Sequence, residues 1–290
     1  MRFAVHAFLM LGALVLPLAV FAEGTPERPF PGVSYTREIR EEPVPQVFHV
    51  VVIEPDAPGL AFKTTRSNGR DPRDTNTETT TAFVERTGAQ LAINANFFSP
   101  VGEAEADLLG LAVSMGEVVS EWDGRAMTEG IHFGADNRID FIRPVDIGRP
   151  RGSDTVPPVT LHNAVSGNIR VLDNGRIPIP EGGDRHPRTL IGVRADGSLL
   201  LMVVDGRRRG VSEGATLHEC AEVLLDYGAD TAINLDGGGS STLVFAAPEP
   251  RVVNRPSAPF SQQRRNGNHL AVFVGKNGDS NHLLRHLSDR

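Results

Sequence analysis

The chain has 290 residues, of which 40% are hydrophobic and 22% are charged, a composition typical of a soluble protein with one or two domains. Its formal net charge of −7 argues against a general binder of nucleic acid or of anionic membranes. The single cysteine, Cys220, excludes an intramolecular disulfide.

The N-terminus is typical of a signal peptide. Arg2 precedes residues 3–22, which contain no Asp, Glu, Lys or Arg and include an apolar stretch. Small or modest residues before a polar segment predict cleavage after Ala22, so residues 1–22 are the signal and 23–290 a single domain. An uncleaved membrane anchor is the alternative, because the uncharged segment is near the length that spans a bilayer. The protein is therefore expected to be exported, periplasmic or secreted, and free of the membrane after cleavage.

Apolar runs separated by turn residues predict a chain rich in strands. A β-branched run predicts a strand at 47–53, followed by a short helix at 79–87 and a strand at 90–98. Four hairpins are then predicted, each with two apolar runs around a turn signal. They pair 109–114 with 117–120, 131–134 with 138–142, 169–172 with 176–179, and 190–194 with 198–204.

The clearest predicted helix spans 216–228. Thr216 and Glu219 have the spacing of a capping box, and Gly228 stands where a helix often ends. Strands are predicted at 231–236 and 270–274. The predicted fold class is α/β (α+β), with mixed, mainly antiparallel sheets and a few helices.

The segment 232–242 is the strongest indication of a binding site. Asn234 and Asp236 alternate by two and so share one face of a predicted strand. Gly237, Gly238 and Gly239 follow, then the hydroxyls of Ser240 and Ser241. Glycines in succession allow close approach of the backbone to a ligand, so the segment predicts a polar ligand site. The alternative is that Asp236 only caps the glycine turn.

Residues 88–96 align without gaps to residues 228–236. The alignment pairs Asn94 with Asn234 and Asn96 with Asp236, and a predicted helix precedes each segment. It predicts an internal pseudo-repeat whose two strand ends face one shared site. Chance recurrence of short strings is the alternative.

The glycine-rich segment resembles the signature of the phosphodiester glycosidase family. Other blocks agree with that family in order, and the resemblance spans about 90–274. They are 92–94 with 97–98, 165–167 with 171–175, 186–192, 203–207 with 214–217, and 256–257 with 264 and 268. The family has two glycines where this chain has Ala95 and Asn96, so the resemblance does not carry over a substrate. The closing block contains Arg264-Arg265, of which spacing favours Arg264.

The resemblance implies cleavage of the bond between a sugar C1 and a phosphodiester oxygen. A phosphate leaving group departs as a stable anion and needs a positive clamp more than a general acid, a role assigned to Arg188. The implied catalytic residues are Asp236, Asp205, Asn94 and Asn234. The implied substrate-binding residues are Arg188, Gly237, Gly238, Gly239, Ser240, Ser241, Asn96, Thr216 and Arg264. Thr216 is first of all a helix cap, and Asp205-Gly206 also fits an ordinary turn at a strand end.

No cofactor and no metal are predicted, because zinc, phosphate-loop and dinucleotide motifs are missing from the sequence. The expected partner is a sugar-1-phosphodiester, for which a cell-envelope glycopolymer is one candidate. Two alternatives stay open. One is a carbohydrate- or envelope-polymer-binding protein without chemistry, and the other is a phosphodiesterase that cleaves the P–O bond. The sequence leaves the oligomeric state open.

Overall fold

The computed structural model describes residues 26–69, 73–102, 104–122, 127–143, 160–258 and 262–275. The predicted signal peptide at 1–22 lies outside them. Among the described residues, no helix is long and apolar enough to cross a membrane.

Twenty strands and two α-helices are described in chain order. They are β1 (Glu27–Phe30), β2 (Val33–Arg40), β3 (Gln46–Ile53), β4 (Ala61–Thr64), β5 (Thr75–Asn76), α1 (Thr80–Thr87), β6 (Leu91–Asn94), β7 (Phe98–Val101), β8 (Glu105–Leu108), β9 (Ala112–Ser114), β10 (Glu117–Ser120), β11 (Glu129–Phe133), β12 (Ile139–Ile142), β13 (Asn163–Gly167), β14 (Ile169–Leu172), β15 (Arg188–Arg194), β16 (Leu199–Val204), α2 (Leu217–Asp226), β17 (Ala229–Asn234), β18 (Leu243–Phe245), β19 (Arg251–Val252) and β20 (His269–Phe273).

The strands form four sheets. The largest has the order β1-β2-β3-β16-β15-β17-β14, and two five-stranded sheets have the orders β10-β9-β13-β11-β12 and β19-β18-β6-β20-β4. The fourth sheet has the order β5-β8-β7. The strand pairings among the described residues are antiparallel. The fold is therefore mainly β with two α-helices, which is consistent with the predicted mixed α/β (α+β) class, and the prediction of mainly antiparallel sheets with a few helices is confirmed.

The shared core lies where the three larger sheets face one another. Alternate residues of β16 and β17, such as Leu201 and Ile233, pack there with Ile93 of β6 and Phe133 of β11. Because strand side chains alternate between faces, the other residues of β16 face α2 and contact its buried Leu224. The seven-stranded sheet is thus covered on both faces.

The two helices begin and end as the sequence predicts. The Thr79 side chain accepts a hydrogen bond from Ala82 N at the start of α1. Thr216 and Glu219 form both bonds of a capping box at the start of α2. Gly88 and Gly228 follow the helices in left-handed conformations, with φ of 73° and 79°. Each helix leads directly into a strand, β6 or β17.

Two predicted elements were wrong. Residues 176–179 do not form the second strand of a hairpin, since only an isolated bridge joins Asp173 to Arg176. The partner of β14 is β17, whose Asn234 lies opposite Ile169. The strand predicted at 90–98 ends at Asn94, and β7 starts at Phe98 in a different sheet. The three other hairpins are confirmed.

Candidate active site

The glycine-rich segment turns sharply where β6 and β17 end. The Asp236 backbone N–H donates to the Ala95 carbonyl at 3.0 Å, which joins the two strand ends directly. Gly238 N–H then donates to the Pro187 carbonyl at 2.8 Å. A Cβ on Gly237 would lie 2.8 Å from that same carbonyl oxygen, and Gly238 has φ of 62°. Both positions therefore require glycine, and residues 238–240 continue as one turn of 3₁₀ helix.

Asn94 holds this turn in place. Its amide nitrogen donates to the Asp236 carbonyl at 2.6 Å. Its amide oxygen accepts from the Thr189 hydroxyl at 2.8 Å and from the Thr242 backbone N–H at 3.1 Å. The side chain is 1% exposed. These three bonds commit Asn94 to positioning the turn, and they leave it no approach to a substrate.

Asp236 is the carboxylate at the tip of β17. It is half-buried beside Ser240 and within the field of Arg264. Burial raises the pKa of the Asp236 carboxyl group from 3.8 to about 6. The Ser240 hydroxyl, the Arg264 charge and the Gly237 N–H oppose this rise because each favours the ionised form. A carboxyl group with this pKa can exchange a proton near neutral pH.

A cleft of about 740 Å³ lies over the three glycines. Arg264 lines it, donates to the Ser240 hydroxyl at 3.2 Å, and places its guanidinium carbon 4.7 Å from the centre of the Phe98 ring. Arg207 also lines the cleft, and its Nη2 would lie 3.0 Å from a Cβ on Gly238. The other lining residues are Ser257, Ala258, Gln262 and Gln263.

Arg207 was missed as a site residue by sequence reasoning. Its φ of 59° is left-handed, a conformation that residues other than glycine seldom adopt and that occurs often at functional sites. The signal available in the sequence was its position after Asp205-Gly206. Two arginines therefore flank the glycine turn, and both are exposed to solvent at the cleft.

The part of the chain that contains this site also matches known proteins. A profile of the phosphodiester glycosidase family matches residues 87–273, which include both strand ends, the glycine turn and the two arginines. The chain belongs to the phosphodiester glycosidase family. It is 30% identical over 176 residues to the mouse N-acetylglucosamine-1-phosphodiester alpha-N-acetylglucosaminidase, covering 54% of this chain and 32% of that protein.

A second relative of this chain is the SPbeta prophage-derived protein YomE of Bacillus subtilis (strain 168). It is 29% identical over 176 residues, which cover 58% of this chain and 26% of YomE. The chain thus spans about a third or less of the length of these two curated relatives.

Two solved structures share the fold. The zebrafish N-acetylglucosamine-1-phosphodiester alpha-N-acetylglucosaminidase catalytic domain, auto-inhibited by its pro-peptide, has a TM-score of 0.65 and 20% identity, with 88% of each chain covered. A hypothetical protein from Synechocystis has a TM-score of 0.60 and 18% identity, with 84% of this chain and 62% of that chain covered.

Arg188 is not among the residues that line the cleft. The Thr189 hydroxyl faces Asn94, so the preceding side chain projects from the opposite face of β15. Arg188 donates to the carbonyls of Ala215 and Asp184 at 3.2 and 2.9 Å. Burial lowers the pKa of its guanidinium group. Its contacts tie the start of α2 to β15, which differs from the predicted phosphate clamp.

Asp205 binds residues 254 and 255, in the loop that leads to the cleft residue Ser257. Its Oδ1 accepts from the Arg255 backbone N–H at 2.7 Å and from the Asn254 side chain at 3.3 Å. Its Oδ2 lies 3.4 Å from Nε2 of His49, whose Nδ1 lies 2.8 Å from the Tyr35 hydroxyl. The carboxylate is therefore surrounded by protein groups and does not line the cleft. This position does not fit the role of second catalytic carboxylate that was predicted for Asp205.

Asn254 connects Asp205 to the glycine turn. It donates to the Ser241 carbonyl at 3.1 Å and accepts from the Leu243 backbone N–H at 2.8 Å. Ser257, three residues on, donates from its hydroxyl to the Gly238 carbonyl at 3.2 Å. Asp205 thus acts on the cleft through this loop.

Two other predicted site residues also use their side chains in hydrogen bonds within the protein. Asn96 is 1% exposed, donates to Leu111 O and Ser166 Oγ, and accepts from the Asn268 side chain. Asn234 donates to Asn168 Oδ1 at 2.9 Å, and its own Oδ1 has no hydrogen-bond partner among the described residues. Asn96 and Asn234 therefore lie near the meeting strand ends without lining the cleft.

The three remaining predicted site residues lie in two separate parts of the structure. Ser240 is fully buried against Asp236 and Arg264, whereas the buried Ser241 hydroxyl has no partner within the described part of the chain. Thr216 is the cap of α2 and lines a separate groove of about 1120 Å³. The structure thus brings together Asp236, Ser240, the three glycines and Arg264, and leaves Thr216 apart.

Proposed function

We propose that this protein hydrolyses sugar-1-phosphodiesters by cleaving the bond between the sugar C1 and the phosphate oxygen. The observation that carries the proposal is Asp236, a half-buried carboxyl group with its pKa raised to about 6. It directly precedes Gly237, which lines the cleft together with Arg207 and Arg264. The family and the activity for which the mouse relative is named support the same reaction class.

The reaction needs one proton acceptor and one anion clamp. Asp236, ionised above about pH 6, takes a proton from a water molecule whose oxygen bonds to C1. The C1–O bond breaks, and its electron pair stays on the departing phosphate monoester. Asp236 then returns its proton to solvent. The products are free sugar and phosphate monoester, so atoms and charge balance.

The clamp replaces the general acid that most glycosidases use. Most members of that class pair two carboxylic groups around the scissile bond. A phosphate monoester is a good leaving group because its second pKa is about 6. Arg207 and Arg264 can stabilise the charge that develops on it, since guanidinium groups bind phosphate by paired hydrogen bonds. The stacking of Arg264 on Phe98 restricts its orientation before substrate binds.

The decisive experiment is hydrolysis of sugar-1-phosphodiesters in water labelled with oxygen-18, without added metal and again with a chelator. Label in the sugar is expected, because water bonds to C1. Label in the phosphate would instead indicate P–O cleavage. Binding without any product after long incubation would indicate a carbohydrate-binding protein.

A pair of variants on one strand tests the role of Asp236. Asp236→Asn is expected to lower kcat by about 10²- to 10⁴-fold, the usual range for loss of a general base. Asp230→Asn removes a carboxylate from the other end of β17 and serves as the matched control. Full activity of Asp236→Asn would disprove the proposed mechanism.

A further inference from the structure

Two further arginines lie on the loops that carry the lining residues Arg207 and Ser257. Arg209 follows Arg207 by two residues, on a tight turn closed by a bond from Val211 N–H to the Arg208 carbonyl. On the other loop, Arg255 precedes the cleft residue Ser257 by two. Arg209 and Arg255 are both exposed. Because the Arg255 backbone is fixed to Asp205 at 2.7 Å, this loop has a defined position beside the cleft.

These arginines differ from many others in the chain in their partners. Seven described arginines form ion pairs with acidic side chains: Arg40, Arg73, Arg86, Arg138, Arg143, Arg170 and Arg185. Within the described ranges, Arg207, Arg209, Arg255 and Arg264 form none. The whole chain has a formal net charge of −7. Apart from the field that Arg264 exerts on Asp236, positive charge at the cleft of this acidic protein is therefore left without an ion-pair partner, and it attracts anions.

One phosphodiester group carries a single negative charge, which Arg207 and Arg264 are sufficient to bind. The exposed Arg209 and Arg255 then have no role in binding a small monoanionic substrate. We propose that the substrate is a polyanionic glycopolymer whose sugar units are joined by phosphodiesters. Arg207 and Arg264 bind the scissile phosphate, and Arg209 and Arg255 bind a neighbouring phosphate of the same chain. This inference rests on the proposed hydrolase function.

Nucleic acid is the other common phosphodiester polymer, but the described residues of the cleft do not show the features that bind it. Single strands bind to proteins by base stacking on aromatic side chains. No aromatic residue lines the described cleft, and the nearby Phe98 ring is covered by Arg264. A sugar-phosphate polymer has no bases, so positively charged side chains are sufficient to bind it.

The test compares a synthetic oligomer of several sugar-1-phosphate units with a single sugar-1-phosphodiester of the same sugar. The measured quantity is the ratio of their kcat/KM values. The double variant Arg209→Gln/Arg255→Gln is expected to lower this ratio about tenfold at low salt. Arg138→Gln/Arg176→Gln, which also removes two exposed arginines but none near the residues that line the cleft, is the matched control and should leave the ratio unchanged.

The salt dependence of this kcat/KM ratio is a second test of the proposal. Between 0.01 and 1 M salt the screening length falls from about 30 to about 3 Å, so the wild-type ratio should fall as well. A ratio that neither salt nor the double variant changes would overturn the proposal. Tight competition by single-stranded DNA would also overturn it, in favour of a nucleic-acid partner.

Binding of the oligomer to Asp236→Asn protein, measured by calorimetry, separates this inference from the proposed function. If wild-type protein hydrolyses neither substrate but the oligomer still binds through Arg209 and Arg255, the hydrolase function fails and polymer recognition stands. If the single phosphodiester is hydrolysed and the oligomer binds no better, polymer recognition fails and the hydrolase stands.

Discussion

The Asp236→Asn variant is expected to be more stable than the wild-type protein at neutral pH, although it loses activity. Burial disfavours the ionised carboxylate of Asp236. The asparagine side chain is neutral and of similar size, so it removes the charge and retains the shape. A catalytic group that destabilises the folded state in this way is typical of active sites.

The magnitude follows from the pKa. Burial raises the pKa of Asp236 from 3.8 to about 6, which corresponds to about 3 kcal/mol of unfolding free energy once the carboxyl group is ionised in both states. The residue is only half-buried, and solvent screening reduces this figure to about 2 kcal/mol. In a protein of this size the variant should therefore melt about 4–8 °C higher.

The pH dependence identifies the cause. The folded chain holds the Asp236 proton more tightly than the unfolded chain, so this contribution to stability is complete below about pH 4 and is lost as the pH rises through about 6. Calorimetry of both proteins between about pH 4 and pH 8 should show nearly equal Tm values at the acidic end and a growing difference above it. A difference that is constant with pH, or a less stable variant at pH 7, would refute the reasoning.

The wild-type kcat/KM should rise as the pH passes through about 6 and then level off, because Asp236 acts as a base; a flat profile from about pH 4 to pH 8 would contradict that role. Arg264→Lys should lower kcat/KM about tenfold for a phosphodiester but not for the same sugar with a neutral leaving group, since lysine lacks the paired donors and the stacking on Phe98. Gly238→Ala should cost about 1 kcal/mol in urea unfolding because its φ is 62°, whereas Gly239→Ala, with only an ordinary contact to Arg264, should cost less. Asn94→Leu should cost about 3 kcal/mol by the same measurement, as it leaves three buried hydrogen-bonding groups without their partner.

The sequence predicted local structure well where one short pattern decides it. The capping box of α2 and three of the four hairpins depend on residues a few positions apart. The hairpin at 169–179 failed because pairing there is decided by a distant strand: Asn234 of β17, not the residues after the turn, lies opposite Ile169. Turn residues mark a reversal of the chain, but they do not choose the partner strand.

The sequence indicated which segments form the site, but it indicated less well which of their side chains face it. Arg188 and Thr189 are neighbours on β15, yet only Thr189 faces the glycine turn, because successive side chains of a strand point to opposite faces. Which face carries the cleft depends on the sheet packed against it, and that arrangement is not readable from one strand. Arg207 was overlooked for a related reason, since its left-handed backbone, and not its spacing, brings it to Gly238.

The match between residues 88–96 and 228–236 is informative even while the pseudo-repeat stays a prediction. Its two strand ends do meet, through the bond from Asp236 N–H to Ala95 O and the bond from Asn94 to Asp236 O. The matched asparagines are not used alike, however, because Asn94 makes three bonds at the turn while Asn234 bonds to Asn168. One strand end thus supplies the support and the other supplies the carboxylate. This division allows Asp236 to remain half-buried with few compensating donors, and so to keep the raised pKa on which the proposed chemistry depends.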